Sequence, residues 1–316
     1  MSFLSGVGPA TLRRASQVFG FDNKTVEQLA VDIPKLKSAL SGGGWSEALI
    51  KAEEQLDLAE RSGCNILSPM DPDYPKLLAV TKDDPFLLWV RGTLAPRPEK
   101  SVAIIGTREP TDHGKLIAQR ITRYFVEQGW SVVSGLALGC DGIAHQEAVD
   151  AGGHTVAVLA HGLQTIAPSK HRKLAEDILN AGGALVSQYP IGREAIPQQF
   201  VQRDKTQAGM AQGVVMIQSD LQGGSLHASR ASIDYGRWLA VPYPTEQDRS
   251  RNEPKIQANL RLADGSEDER MELLRLKDSA GLSRILVLRS KDDYARCLVS
   301  TSTPVIEKPA SQGSMF

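Results

Sequence analysis

The sequence predicts an α/β fold: a parallel sheet with helices on both faces, preceded by a small helical domain. Three observations predict it. Between residues 101 and 241, short apolar, β-branched runs alternate regularly with segments of helical period. Repeated βα units of this length build parallel sheets. Two of the runs end in glycine turns. Val102-Ala103-Ile104-Ile105 stops at Gly106-Thr107-Arg108, and Val132-Val133 leads through Gly135, Gly139 and Gly142 into a helix. A helix N-terminus behind a glycine-rich loop offers N–H groups and the positive end of a dipole, which suits phosphate. Two such loops at the ends of neighbouring parallel strands form a Rossmann-like crevice. Third, residues 1–62 carry helical patterns throughout.

In chain order, Gly6-Val7-Gly8-Pro9 is a tight hairpin signal, followed by Leu12, Ala15 and Val18 at helical spacing. This resembles one helix-hairpin-helix (or SAM-like) unit, whose glycine N–H groups can hold a DNA phosphate. A plain helical hairpin used for packing is the favoured reading, since one short GVG match is weak. Helices are expected over 25–40 and 46–62, separated by Ser41-Gly42-Gly43-Gly44. Strands are expected over 65–67 and 85–92, with a proline-fixed turn at 71–75 between them. Residues 96–100 read as a linker.

The regular part then begins. The helix at 114–128 places Leu116, Ile117, Ile121, Tyr124 and Phe125 on one face. Strand 131–133, a helix near 143–150 and strand 154–159 follow. Ser169 reads as the N-cap of a helix through Asn180, with Gly182 after its end. Strand 184–187, a helix around 205–212, strand 213–217, a helix from 224 to 235 and strand 238–241 complete the series. Residues 246–253 read as loop, 267–277 as a charged helix, 284–288 as a strand and 292–298 as a short helix. Ser, Thr and Pro enrich residues 300–316, which read as disordered. The domains expected are therefore a helical domain (1–62), a Rossmann-like domain (63–245), an α/β extension (246–298) and a tail (299–316).

Composition narrows the function. The net charge of −1 means that nucleic-acid binding must come from a local patch. Cys64, Cys140 and Cys297 are sparse, odd in number and without metal-ligand spacing, which fits a reducing cytosol. No signal peptide and no membrane span is read. There is no Walker A lysine motif, no zinc motif and no G-x-G-x-x-G after the first strand, so no cofactor or metal is assigned.

Several residues suit anion chemistry. Arg108 follows a strand and a glycine, where a guanidinium can clamp phosphate in a bidentate fork. Phe200 beside Arg203 and Lys205 offers stacking on a base together with phosphate contact. Gly224-Ser225 opens a helix after a strand, a further phosphate candidate against the simpler reading of a capped turn. Asp141 and His145 are close enough for an acid/base pair. With no nucleophile beside them, Asp141 is expected to cap its helix and His145 to touch the ligand or a loop.

The ordered stretches DPDYPKLL (71–78), IIGTRE (104–109), VVSGLALGCDGIAHQEAV (132–149), PSKHRKLAEDI (168–178), LVSQYPIG (185–192), FVQRDKTQAGMA (200–211), GGSLHASRAS (223–232) and AVPYP (240–244) resemble the DprA/Smf family of DNA-processing proteins. The resemblance covers residues 67–244. It implies an extended Rossmann-like domain that binds single-stranded DNA in a basic pocket, forms a homodimer and hands the strand to a RecA-type recombinase in natural transformation or related recombination. It implies a cytoplasmic binding protein with no catalytic residue. Carried over by motif, the DNA contacts are Arg108, Ser134, Gly135, Gly139 and Gly142 of the glycine loop, Lys170, Phe200, Arg203 and Lys205, with Gly224 and Ser225.

The sequence also departs from the family pattern. The usual R-N-R is here Arg203-Asp204-Lys205, so an acid stands between the cations and a lysine lacks the fork. Gln198 and Gln199 bring no charge before Phe200, and no winged helix is visible after residue 280. Relatives of this kind also accompany toxin genes in phage-defence loci, so an antitoxin or DNA-sensing partner role is the alternative. A phosphoribohydrolase-like nucleotide enzyme is the third reading. Its P-G-G-x-G-T-x-x-E loop is replaced here by Gly223-Gly224-Ser225-Leu226-His227 with no following glutamate.

Overall fold

A computed structural model describes residues 1–299, so the tail expected to be disordered lies outside the described residues apart from Val299. Among the described residues nine strands form one sheet: β1 (Cys64–Leu67), β2 (Leu88–Gly92), β3 (Ser101–Ile105), β4 (Ser131–Ser134), β5 (Thr155–Leu159), β6 (Ala184–Ser187), β7 (Gly213–Met216), β8 (Trp238–Pro242) and β9 (Ile285–Leu288). Their order is β1-β2-β6-β5-β4-β3-β7-β8-β9. The pairs from β6 across to β9 are parallel, while β1–β2 and β2–β6 are antiparallel. From β3 the chain builds outward through β4, β5 and β6, then returns to lay β7, β8 and β9 on the other side. The strand order therefore reverses between β3 and β7, where open α/β sheets bind ligands beyond the carboxyl ends of the strands.

The helices are α1 (Pro9–Ser16), α2 (Val26–Asp32), α3 (Pro34–Ser41), α4 (Trp45–Arg61), α5 (Lys76–Ala79), α6 (Asp112–Glu127), α7 (Cys140–Asp150), α8 (Arg172–Asn180), α9 (Pro197–Gly209), α10 (Ser225–Asp234), α11 (Glu246–Ser250), α12 (Gln257–Asp264), α13 (Glu267–Leu274) and α14 (Tyr294–Val299). Central strands are apolar on both faces because helices cover both. Val102 and Ile104 of β3 pack with Ala118, Ile121 and Phe125 of α6. Their alternates Ala103 and Ile105 pack in the opposite core with Ala208 of α9 and Leu226 of α10. Burying a side chain such as Phe125 contributes about 1.5–3 kcal/mol.

Residues 1–41 pack around their own core of Leu4, Ala15, Leu29, Ile33 and Leu36, with Ala48 of α4. Polar contacts among the described residues tie this helical part to the rest of the fold. Arg13 Nη2 donates to the buried Asp84 carboxylate at 2.7 Å. The Gln55 amide donates to Ile191 O at 3.0 Å and accepts from Ile191 N at 2.8 Å.

The structure corrects several local expectations. The helix at 25–40 is two helices, because Pro34 forces Ile33 into an extended backbone and starts α3. The GVG turn precedes α1, and residues 1–8 form turns rather than a first hairpin helix. Leu116 is exposed, while Ala118 takes the core position. Ser169 belongs to a 3-10 turn, caps nothing with its side chain, and α8 starts at Arg172. The helix at 205–212 is α9, which begins much earlier at Pro197. Residues 246–250 form α11, capped by Thr245 Oγ1 accepting from Asp248 N at 3.1 Å. The boundary at 245 is no break in the sheet, since β9 pairs in parallel with β8. Asn259 of α12, a helix absent from the expectation, bonds Ser219 N, Ile217 O and Pro242 O.

Candidate nucleic-acid interface

At the reversal point lies a cleft of about 450 Å³, walled by the 105–109 loop after β3, the 219–225 loop after β7, Ala137, Asp141, Lys255 and α9. Phe200, Arg203, Asp204 and Gln207 of α9 line it. Their spacing of three, four and seven residues is one stripe of a helix. Phe200 sits between two guanidinium groups, Arg108 at 6.0 Å and Arg203 at 5.7 Å from its ring centroid. Both distances are within cation–π range. Arg108 is exposed and makes no ion pair among the described residues.

A second groove, of about 620 Å³, continues from Arg108 and Glu109 across Lys115, Gly139, Gly142, Lys170, His171 and Lys173. Lys170 is exposed and makes no ion pair among the described residues, whereas Lys115 meets Asp112 at 2.9 Å and Lys173 pairs with Asp177. Exposed pairs of this kind are weak and yield to a stronger anion.

Several expected contacts sit elsewhere. Arg203 is 5% exposed. Its Nη1 donates to Gly135 O at 2.7 Å and Val158 O at 3.3 Å, and its Nε lies 3.1 Å from Asp204. Asp141 is 3.9 Å from Nη1. With its amide turned to accept, Gln207 takes Arg203 Nη1 at 2.9 Å and Gly135 N at 2.8 Å. The guanidinium is thus an internal brace at the cleft wall rather than an open cation. Lys205 stands off the lining stripe and pairs with Asp83 at 2.9 Å, so it does not enter the cleft.

The glycine loop is likewise packed against the chain itself. Cys140 N donates to Thr107 O at 3.1 Å and Gly142 N to Ala137 O at 3.0 Å. Gly139 has φ +76°, and a Cβ there would collide with the carbonyls of Thr107 and Arg108. A Cβ on Gly135 would strike Arg203, and one on Gly142 would strike His171. Ser134 is fully buried and donates to Ile104 O at 2.6 Å. The close approach that these glycines permit is between two loops of the protein, and the amides of Gly135 and Gly142 already have partners inside it.

His145, expected near the ligand, is fully buried against Thr155 Oγ1 at 2.8 Å. Burial pushes its pKa down to about 3, so it is neutral. Asp141 lies in the first turn of α7, and burial raises its pKa against the pull of Arg203 and the N–H groups of Ala137 and Gly135. Burial likewise pushes Asp204 up to about 7. Gly224 and Ser225 do line the cleft, with Ser225 Oγ donating to Ser219 Oγ at 2.8 Å. Lys255, 3.3 Å from Asp220, is a cleft cation that sequence reasoning missed. It lies in a polar stretch whose fold became visible only through α12. The cleft is therefore mixed in charge rather than basic.

The family model of DNA recombination-mediator protein A matches residues 65–265. The chain belongs to this family. Protein Smf of Synechocystis is 32% identical over 246 residues, which is 75% of this chain and 61% of that relative's length. DNA processing protein A (DprA) of Streptococcus pneumoniae superposes with a TM-score of 0.67 at 21% identity, covering 93% of this chain and 94% of that one. That likeness shows a shared fold. DNA processing protein A of Helicobacter pylori, described for its single-stranded DNA binding mode, matches at a TM-score of 0.51 and 26% identity, covering 61% of this chain and 90% of that one. No described helix is long and apolar enough to cross a membrane.

Proposed function

We propose that this member of the recombination-mediator family binds single-stranded DNA along the carboxyl edge of its sheet, as a binding protein with no reaction assigned to the cleft. The observation that carries this reading is the exposed Arg108, which has no close ion-pair partner among the described residues, beside the Phe200 ring at the β3–β7 reversal point. A base stacked near Phe200 leaves its phosphates over Arg108, and the backbone then follows the groove past Lys170, Lys115 and Lys173. Arg203 holds the floor of this site, and Lys255 adds a cation at its far wall. Family membership supports the wider role: a cytoplasmic homodimer that protects the strand and passes it to a RecA-type recombinase.

Fluorescence anisotropy with labelled single- and double-stranded oligonucleotides over a salt titration tests it. Salt-sensitive binding that prefers the single strand is expected. A second reading has its own support. Glu109, Asp141, Asp204 and Asp220 outnumber Arg108, Arg203 and Lys255 in the cleft, which suits a partner or sensor role beside a toxin better than tight strand capture. Absence of binding at low salt refutes the first reading in favour of the second.

A further inference from the structure

Four carboxyl groups, Glu109, Asp141, Asp204 and Asp220, face three cations, Arg108, Arg203 and Lys255, in the cleft. Lys255 is answered by Asp220 at 3.3 Å. Arg203 faces two carboxylates, Asp204 at 3.1 Å from its Nε and Asp141 at 3.9 Å from its Nη1. That guanidinium is also committed to Gly135 O and Val158 O. The Asp204 side chain is only 14% exposed, yet it lines the same wall as Phe200. Any polyanion that stacks on Phe200 and meets Arg108 therefore brings a phosphate toward a carboxyl group whose close cation, Arg203, is shared with Asp141.

We infer that Asp204 makes strand binding proton-coupled: entry of the anionic strand is accompanied by uptake of one proton on the Asp204 carboxyl. The inference rests on the DNA-binding reading above. The groups that face Asp204 are Arg203 on its own helix, Asp141 on α7, and Arg108 after β3. Glu109, Asp220 and Lys255 complete the charged lining of the cleft. Lys205, its partner Asp83 and His227 lie on the other side of α9. Burial, with the like charge of Asp141 adding to it and Arg203 and Arg108 opposing, leaves the Asp204 carboxyl near half-protonated at neutral pH. A phosphate at Arg108 takes up one of the two opposing cations and adds like charge, so both effects drive the proton on. A neutral Asp204 then presents an O–H donor where the ionised form only accepts.

The test is the affinity for a short oligothymidine carrying a pH-insensitive rhodamine label, at constant ionic strength, from about pH 5.5 to about 8.5. For the wild type, log Kd is flat at the acid end and rises with pH above about 7, with a slope approaching one, or about tenfold weaker binding per pH unit. Asp204→Asn gives a flat profile near the acid-limit affinity of the wild type. His171 lines the adjoining groove, so His171→Gln is run beside it as a control and keeps the slope. An equal slope in Asp204→Asn, or a flat wild-type profile, overturns the inference. Should Asp204→Asn not fold, calorimetry of the wild type in two buffers of different ionisation heat counts the protons directly. A count near zero at mildly alkaline pH overturns the inference. Wild-type protein that binds no strand at any pH overturns the DNA-binding reading itself.

Discussion

Arg203→Ala separates bracing from binding. In the structure this guanidinium compensates two buried carboxylates and satisfies the carbonyl oxygens of Gly135 and Val158. Removing one partner of a buried ion pair costs about 3–5 kcal/mol, because the remaining charge is stranded. Each orphaned carbonyl adds about 1 kcal/mol or more. Proton uptake by Asp204 and Asp141 relieves part of this, so the expected loss is about 4–6 kcal/mol above neutral pH and smaller in mild acid. That is a large fraction of the roughly 5–15 kcal/mol that holds a typical domain folded. Urea unfolding followed by tryptophan fluorescence reads it, since Trp89, Trp130 and Trp238 are all buried. Arg203→Lys keeps the charge but loses the fork, and falls between the two. A loss under about 1 kcal/mol at alkaline pH, the size of a surface pair, refutes the brace and returns Arg203 to the role of an open cation.

Arg108→Ala, by contrast, leaves the urea midpoint unchanged. It weakens strand binding by about 1–3 kcal/mol and lowers the salt slope by about 0.7 for one lost phosphate contact; unchanged affinity and slope remove Arg108 from the site. Gly139→Val forces a β-branched residue to positive φ and into the Thr107 and Arg108 carbonyls, so the two loops separate and thermal stability falls. A variant that melts and binds like the wild type shows that this packing is dispensable. Asn259→Ala orphans the groups that its amide joins, Ser219 N, Ile217 O and Pro242 O, at about 1–3 kcal/mol for a buried unsatisfied group. Unchanged urea stability there means that α12 does not secure the cleft loop. The folded-state pKa of Asp204 is about 7, above its value of about 3.9 in an unfolded chain. The native state therefore binds more protons between these values, and stability from this group falls as pH rises from about 4 to about 7. Asp204→Asn removes that component; an identical stability–pH profile in the variant contradicts the raised pKa.

The strands and most helices were legible in sequence because their cause is local. Val102 to Ile105 are apolar on every residue, and a strand with that pattern must be covered on both faces. Gly182, at positive φ just past α8, marks that helix end by its own backbone preference. Phe200 and Arg108 were both singled out from their local setting, and the structure brings them together at the cleft. The helix expected around 205–212 starts too late, although Pro197 is well suited to a first helical turn. With its true start known, the stripe Phe200-Arg203-Asp204-Gln207 would have set Lys205 aside.

What only the tertiary structure decided is which charges are open. Arg203 meets an acceptor 68 residues away and Lys205 a carboxylate 122 residues away, and no periodicity records such partners. The glycines of the 135–142 loop announced a close approach from sequence alone. Whether a phosphate or the protein's own 107–108 loop would fill it depended on where folding placed β3 against α7. The sequence by itself determined a doubly covered parallel sheet with a glycine-rich edge, because backbone preference and apolar period are properties of short segments. The availability of each cation is a property of the folded surface, where burial and distant partners set both its charge and its reach.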